Sequence, residues 1–148
     1  YMAELAGTGR YEVSDAVKAV IGKHFVGGYC SDDETKSAIN KVYTENGYLM
    51  DTHTAVAYNK LAAYRKDTGC VTPAVVVSTA SPYKFCNSVL QALGQESDAP
   101  GTELIEKLSE VTKTAIPKPL EGLDRREKRF ELVVDKPEMK ATVADFLK

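Results

Sequence analysis

The sequence predicts a single-domain α/β fold, a partial three-layer αβα arrangement with helices packed on a short, mainly parallel sheet. Three observations carry that expectation. Residues 74–77 read Ala-Val-Val-Val, and a strand apolar on both faces has to be covered on both, which is the habit of parallel sheets. Segments on either side of it repeat apolar residues at helical spacing. Between strand and helix, Ser78, Thr79 and Ala80 make a turn, Ser81 suits an N-cap and Pro82 the first helical position. In open α/β sheets ligands sit at the carboxyl ends of strands, where Thr79, Ser81 and Lys84 would project.

Taken in order, Tyr1 to Gly9 is a short segment ending in a Gly-Thr-Gly break. Ser14 caps a helix in which Val17, Val20, Ile21, His24 and Phe25 share a face, and residues 25–29 read as a loop or a very short strand. Ser31, Asp32, Asp33 and Glu34 form an S-x-x-E capping box with three carboxylates at the positive helix end. That helix buries Ala38, Ile39 and Val42 and stops at Gly47; Tyr48, Leu49 and Met50 lead to Asp51, which caps a helix ending at Gly69. Past the central unit, Phe85, Val89, Leu90 and Leu93 follow at helical spacing up to Gly94, and residues 95–101 form a loop. Leu104, Ile105, Leu108 and Val111 mark another helix, and Ile116-Pro117-Lys118-Pro119 an extended connection. Residues 130–134 read as a short strand, and Asp135, Pro137, Met139, Val143, Phe146 and Leu147 as a closing helix. Only the short segments 25–29, 48–50 and 130–134 could flank the strand at 74–77. For that reason, and because the sequence opens at Tyr1 with Met2 second, it reads as a piece of a larger α/β protein.

Composition excludes several classes. With 148 residues, 27% charged and 43% apolar, the chain has the make-up of one globular domain. A net charge of −2 with dispersed Lys and Arg leaves no footprint for nucleic acid. No apolar run reaches the roughly 18 residues that span a bilayer, and no leader pattern opens the sequence. Cys30, Cys70 and Cys86 are odd in number and widely spaced, which reads as reduced thiols of a cytoplasmic protein with no metal site.

There is no Walker loop, no G-x-S-x-G, no H-E-x-x-H and no paired-cysteine zinc pattern. His53, near Asp51 in the first turn of its helix, reads first as a helix-end histidine. Lys84 is electrostatically out of place at a positive helix start unless an anion is near, and reads first as a solvated lysine and second as that anion's partner. Thr79 reads first as a strand-closing residue, and Cys86 as a small buried hydrophobe. On their own these residues permit an anion-binding βα turn and nothing more specific.

Two motifs add more. Gly-Tyr-Leu-Met-Asp-Thr-His-Thr-Ala-Val-Ala-Tyr at 47–58 and Val-Val-Val-Ser-Thr-Ala-Ser-Pro-Tyr-Lys-Phe at 75–85 resemble the C-terminal part of the threonine synthase family. That family usually has an acidic residue before Pro-His-Thr-Ala-Val, and then Thr-Ala-His-Pro-Ala-Lys-Phe. Asp51, His53, Thr54, Ala55, Val56, Thr79, Ala80, Pro82, Lys84 and Phe85 match; Thr52 replaces the proline, Ser81 the histidine and Tyr83 the alanine. The aromatic-glycine turn before Ser-Asp-Asp-Glu-Thr and the Ile-Pro-x-Pro-Leu segment extend the resemblance over most of the chain.

The resemblance implies the C-terminal portion of a pyridoxal-phosphate enzyme of the tryptophan-synthase-β-like fold (fold type II). The family converts O-phospho-L-homoserine and water to L-threonine and phosphate. The lysine that carries the cofactor and the glycine- and asparagine-rich loop for its phosphate belong to an N-terminal portion of the same enzyme, so no catalytic residue is implied here and the isolated chain is expected to be inactive. Thr79 matches the cofactor-binding position whose hydroxyl faces the pyridine nitrogen. A hydroxyl donates to a neutral pyridine, whereas a carboxylate would hold it protonated. Lys84 and Ser81 are implied as substrate-binding, Lys84 facing a phosphate or carboxylate, with Ser81 standing where the family usually has His. Asp51 and His53 serve the start of their helix before they serve substrate. The alternatives are a stand-alone module that binds phosphorylated amino acids and a degenerate structural or interaction domain; an upstream cofactor lysine with a glycine-rich loop would separate the enzyme from both.

Overall fold

The computed structural model describes residues 1–148 apart from Ser97, Pro100 and Lys128. Among the described residues there is no strand and no sheet, so the predicted packing of helices on a parallel sheet is corrected to an arrangement of helices alone. Residues 74–77 run without a ladder, and Val75 and Val77 are 90% and 67% exposed. The physical reason is that β-branched residues specify only a fit to a pleated, half-buried surface; a strand also needs neighbours for its N–H and C=O groups. Segments 25–29, 48–50 and 130–134 supply none, being non-strand themselves.

The chain divides into two compact units, Tyr1–Ser97 and Asp98–Lys148. In the first, α1 (Met2–Thr8), where the sequence suggested only a short segment, ends on Gly9 with φ 75°. Helix α2 (Asp15–Gly22) starts from Ser14, whose hydroxyl accepts the Val17 N–H at 3.4 Å. Its expected apolar face finds no cover: α2 has no buried residue, and Val20 is 59% exposed.

The centre of this unit is α3 (Asp32–Asn46), packed on both α4 (Thr52–Thr68) and α5 (Cys86–Ala92). The capping box is realised: Glu34 N–H donates to Ser31 Oγ at 3.3 Å and Ser31 N–H to Glu34 Oε2 at 2.8 Å. Ala38, Ile39 and Val42 are buried as their spacing predicted. Ile39, Val89 and Leu90 are wholly inaccessible, each worth about 1.5–3 kcal/mol of apolar burial. Asn40 Nδ2 donates to the Ala92 carbonyl at 2.9 Å, tying α3 to the end of α5. Gly47 and Gly69 end α3 and α4 at φ 67° and 69°, a left-handed conformation that other residues adopt at a cost.

The helix predicted to run from Pro82 is broken in two. Pro82–Lys84 form one 3₁₀ turn, Phe85 departs from helical geometry at φ −130° and ψ 39°, and α5 begins at Cys86. Ser81 does cap, accepting the Tyr83 N–H at 3.3 Å. Cys86, Val89, Leu90 and Ala92 form the buried side of α5. The loop expected over 95–101 includes Ser97 and Pro100, which lie outside the described residues.

In the second unit, α6 (Glu103–Thr112) buries Leu104, Ile105 and Leu108 and ends on Lys113 at φ 56°. The extended connection expected at 116–119 holds a 3₁₀ turn, Lys118–Leu120. Helix α7 (Met139–Phe146) forms as its spacing predicted but buries no residue, and Phe146 is 69% exposed.

Candidate functional site

The start of α4 and the turn after residue 77 are brought together, and Asp51 is the reason α4 starts where it does. Its Oδ1 accepts the N–H groups of His53 at 2.9 Å and Thr54 at 3.3 Å, while the Thr54 hydroxyl closes on Oδ2. Asp51 is 1% exposed, yet its carboxyl sits below the ordinary carboxylate range. Burial pushes it up, and the Thr54 hydroxyl, the Thr54 and His53 amides and the His53 ring together outweigh that. A buried carboxylate so provided with donors stays ionised.

From there contacts reach the second motif along two lines. Thr54 Oγ1 lies 3.3 Å from Ser78 Oγ. The His53 ring stands 5.1 Å from the Phe85 ring, and Lys84 Nζ lies 5.8 Å from the Phe85 centroid on the way out to solvent. An open cleft of about 400 Å³ lies beside this contact, lined by Cys30, Lys36, Thr52, His53, Phe85 and Gln91 among others.

Each sequence-predicted site residue has a definite place. Thr79 is exposed in the turn, and its hydroxyl has no partner among the described residues. Ser81 is half-buried, its oxygen engaged as a cap. Lys84 is exposed within the 3₁₀ turn rather than in the first turn of an α-helix, so the helix-start argument made for it from the sequence does not apply. Neither Thr79 nor Lys84 lines the cleft. Sequence reasoning missed Thr54 and Ser78 as a joined pair. The available signal was that each hydroxyl falls inside one of the two motifs. Among the described residues no group of three metal-ligating side chains occurs, and no helix is long and apolar enough to cross a membrane.

The family profile described as "Threonine synthase, C-terminal" matches residues 54–144. The chain belongs to the threonine synthase family. Among its relatives, mouse "Threonine synthase-like 1" is 36% identical over 110 residues, 74% of this chain and 14% of the relative. "Threonine synthase" of Schizosaccharomyces pombe is 34% identical over 99 residues, 66% of this chain and 19% of that protein. The crystal structure of PLP-bound threonine synthase from Brucella melitensis superposes with a TM-score of 0.55 at 29% identity, covering 78% of this chain and 23% of the other. The chain therefore spans well under a third of the length of these family members.

Proposed function

We propose that this chain is the C-terminal part of a threonine synthase, which converts O-phospho-L-homoserine and water to L-threonine and phosphate, and that its 78–85 turn forms one wall of the cofactor site. The observation that carries this reading is Thr79: within a motif shared with the family, a hydroxyl is presented to solvent with no partner among the described residues. A polar group without a partner is suited to a ligand that buries it, and a neutral donor suits the pyridine nitrogen of pyridoxal phosphate. That cofactor, when bound, supplies an electron sink for the amino-acid substrate.

The chain's own residues do the rest of what falls to this wall. Thr79 donates to the ring nitrogen and fixes how the ring lies. Lys84, exposed and held over Phe85, faces a substrate anion, and Ser81 lies between them in the same turn. The remaining walls, including the lysine that carries the cofactor and the cradle for its phosphate, belong to the N-terminal portion of the enzyme. On its own the chain has no turnover.

Thr79 is the position to test, in the full-length protein. Thr79→Ser is expected to keep most activity. Thr79→Val, which keeps the shape and removes the hydroxyl, is expected to weaken cofactor retention and shift the cofactor's absorption band, since a neutral hydrogen bond is worth about 0.5–1.5 kcal/mol. A Thr79→Val enzyme with an unchanged band and unchanged kinetics would refute the assignment.

A further inference from the structure

We infer that Ser78, Thr54 and Asp51 form a positioning chain that fixes the turn presenting Thr79. The inference rests on the cofactor-facing reading of Thr79 and extends it to residues that do not touch the cofactor.

Thr79 needs such a device because its own backbone provides little. In this chain the segment before it forms no ladder among the described residues, with Val75 90% and Val77 67% exposed. The rigid element at hand is α4, 17 residues long, and the buried carboxylate of Asp51 is locked to its first turn by two amides. An ionised carboxylate only accepts, so the single proton of Thr54 goes to Asp51 Oδ2. The same Thr54 oxygen lies 3.3 Å from Ser78 Oγ, so one hydroxyl touches both the capping carboxylate and the turn. Ser78 Oγ in turn donates to the Ala80 carbonyl at 3.5 Å, across Thr79. The contacts thus link the Asp51 carboxylate, Thr54, Ser78 and the Ala80 carbonyl in turn, with a charge at one end. Hydrogen bonds to an ionised acceptor are the strong ones, so Thr54 is held firmly where Ser78 meets it. The residue next to Ser78 is Thr79. On the far side of the turn, the Ser81 cap and the buried Tyr83 hold the chain at the other end.

Ser78 is exposed, which makes it the safest place to break the chain without disturbing the Asp51 cap. In the full-length, cofactor-loaded protein, Ser78→Ala is expected to shift the cofactor's absorption band in the same sense as Thr79→Val. It is expected to raise the dissociation constant for pyridoxal phosphate about three- to tenfold, the range of one neutral hydrogen bond, with an unchanged melting temperature of the cofactor-free protein. Ser78→Thr, which restores the hydroxyl, is expected to return both towards wild type. Thr54→Val is a second break from the buried side, with Thr54→Ser as its rescue. If Thr79→Val moves the band and Ser78→Ala leaves both band and affinity untouched, the positioning chain is overturned and the cofactor reading stands. If Thr79→Val itself moves nothing, the cofactor reading falls and takes the chain with it.

Discussion

Cys70 and Cys86 carry the same thiol in opposite settings. Hydrogen bonds from the Thr72 side chain and backbone lower the Cys70 thiol below its usual range; burial opposes this, and the Arg65 charge adds to it. Arg65 is itself held close by, its Nη2 donating to the Thr72 carbonyl at 2.8 Å. Burial raises the Cys86 thiol, which donates to the Tyr83 carbonyl at 3.2 Å. Because the thiolate is the nucleophile, iodoacetamide at neutral pH is expected to alkylate Cys70 well before Cys86. Peptide mass mapping over a time course checks this, and equal labelling rates at the two positions would contradict it. Replacing Arg65 with Met should slow Cys70 and leave Cys86 alone.

At the scale of the element, α4 hangs on Asp51. Its folded carboxyl lies below the ordinary value, so its contribution is fully present above the unfolded value, near pH 4, and is lost as pH falls through the folded value. Helical circular dichroism is therefore expected to decline below about pH 4. Asp51→Asn, which still caps but does not titrate, should remove part of that decline, and superimposable acid titrations would argue against the assignment. Asp51→Ala should cost about 1 kcal/mol for the cap alone. This cap was legible in the sequence because a cap is local: Ser31, Asp51, Gly47 and Gly69 each act within a few residues. The strand at 74–77 was misread because strand formation is decided by partners elsewhere, and four apolar residues say nothing of whether those partners are near. The same distance hid the joining of Thr54 to Ser78, which lie 24 positions apart. Lys84 was placed on an α-helix because the backbone break at Phe85 has no signature in its side chain.

Over the whole molecule, the apolar periodicity of α2 and α7 produced helices with no buried residue, while α3 collected the packing of its unit from both sides. Periodicity specifies which face of a helix is apolar; cover for that face depends on a neighbour. The run from Val71 to Val77, which forms no ladder among the described residues, is also a tether. It links α4 to the α5 segment, yet neither helix depends on it for its place, since each packs on α3 and Asn40 grips the Ala92 carbonyl directly. A solvent-facing backbone without secondary structure and rich in valine is also what a protease groove accepts. A protease that prefers small aliphatic residues is thus expected to cut the chain first between 74 and 77. A denaturing gel should then show two pieces, while size exclusion under native conditions should still give one species. If the pieces part on the column, α3 is not the clasp. If they stay together, the molecule has a covalent weak point without a structural one, and a nick there lengthens nothing but the list of its termini.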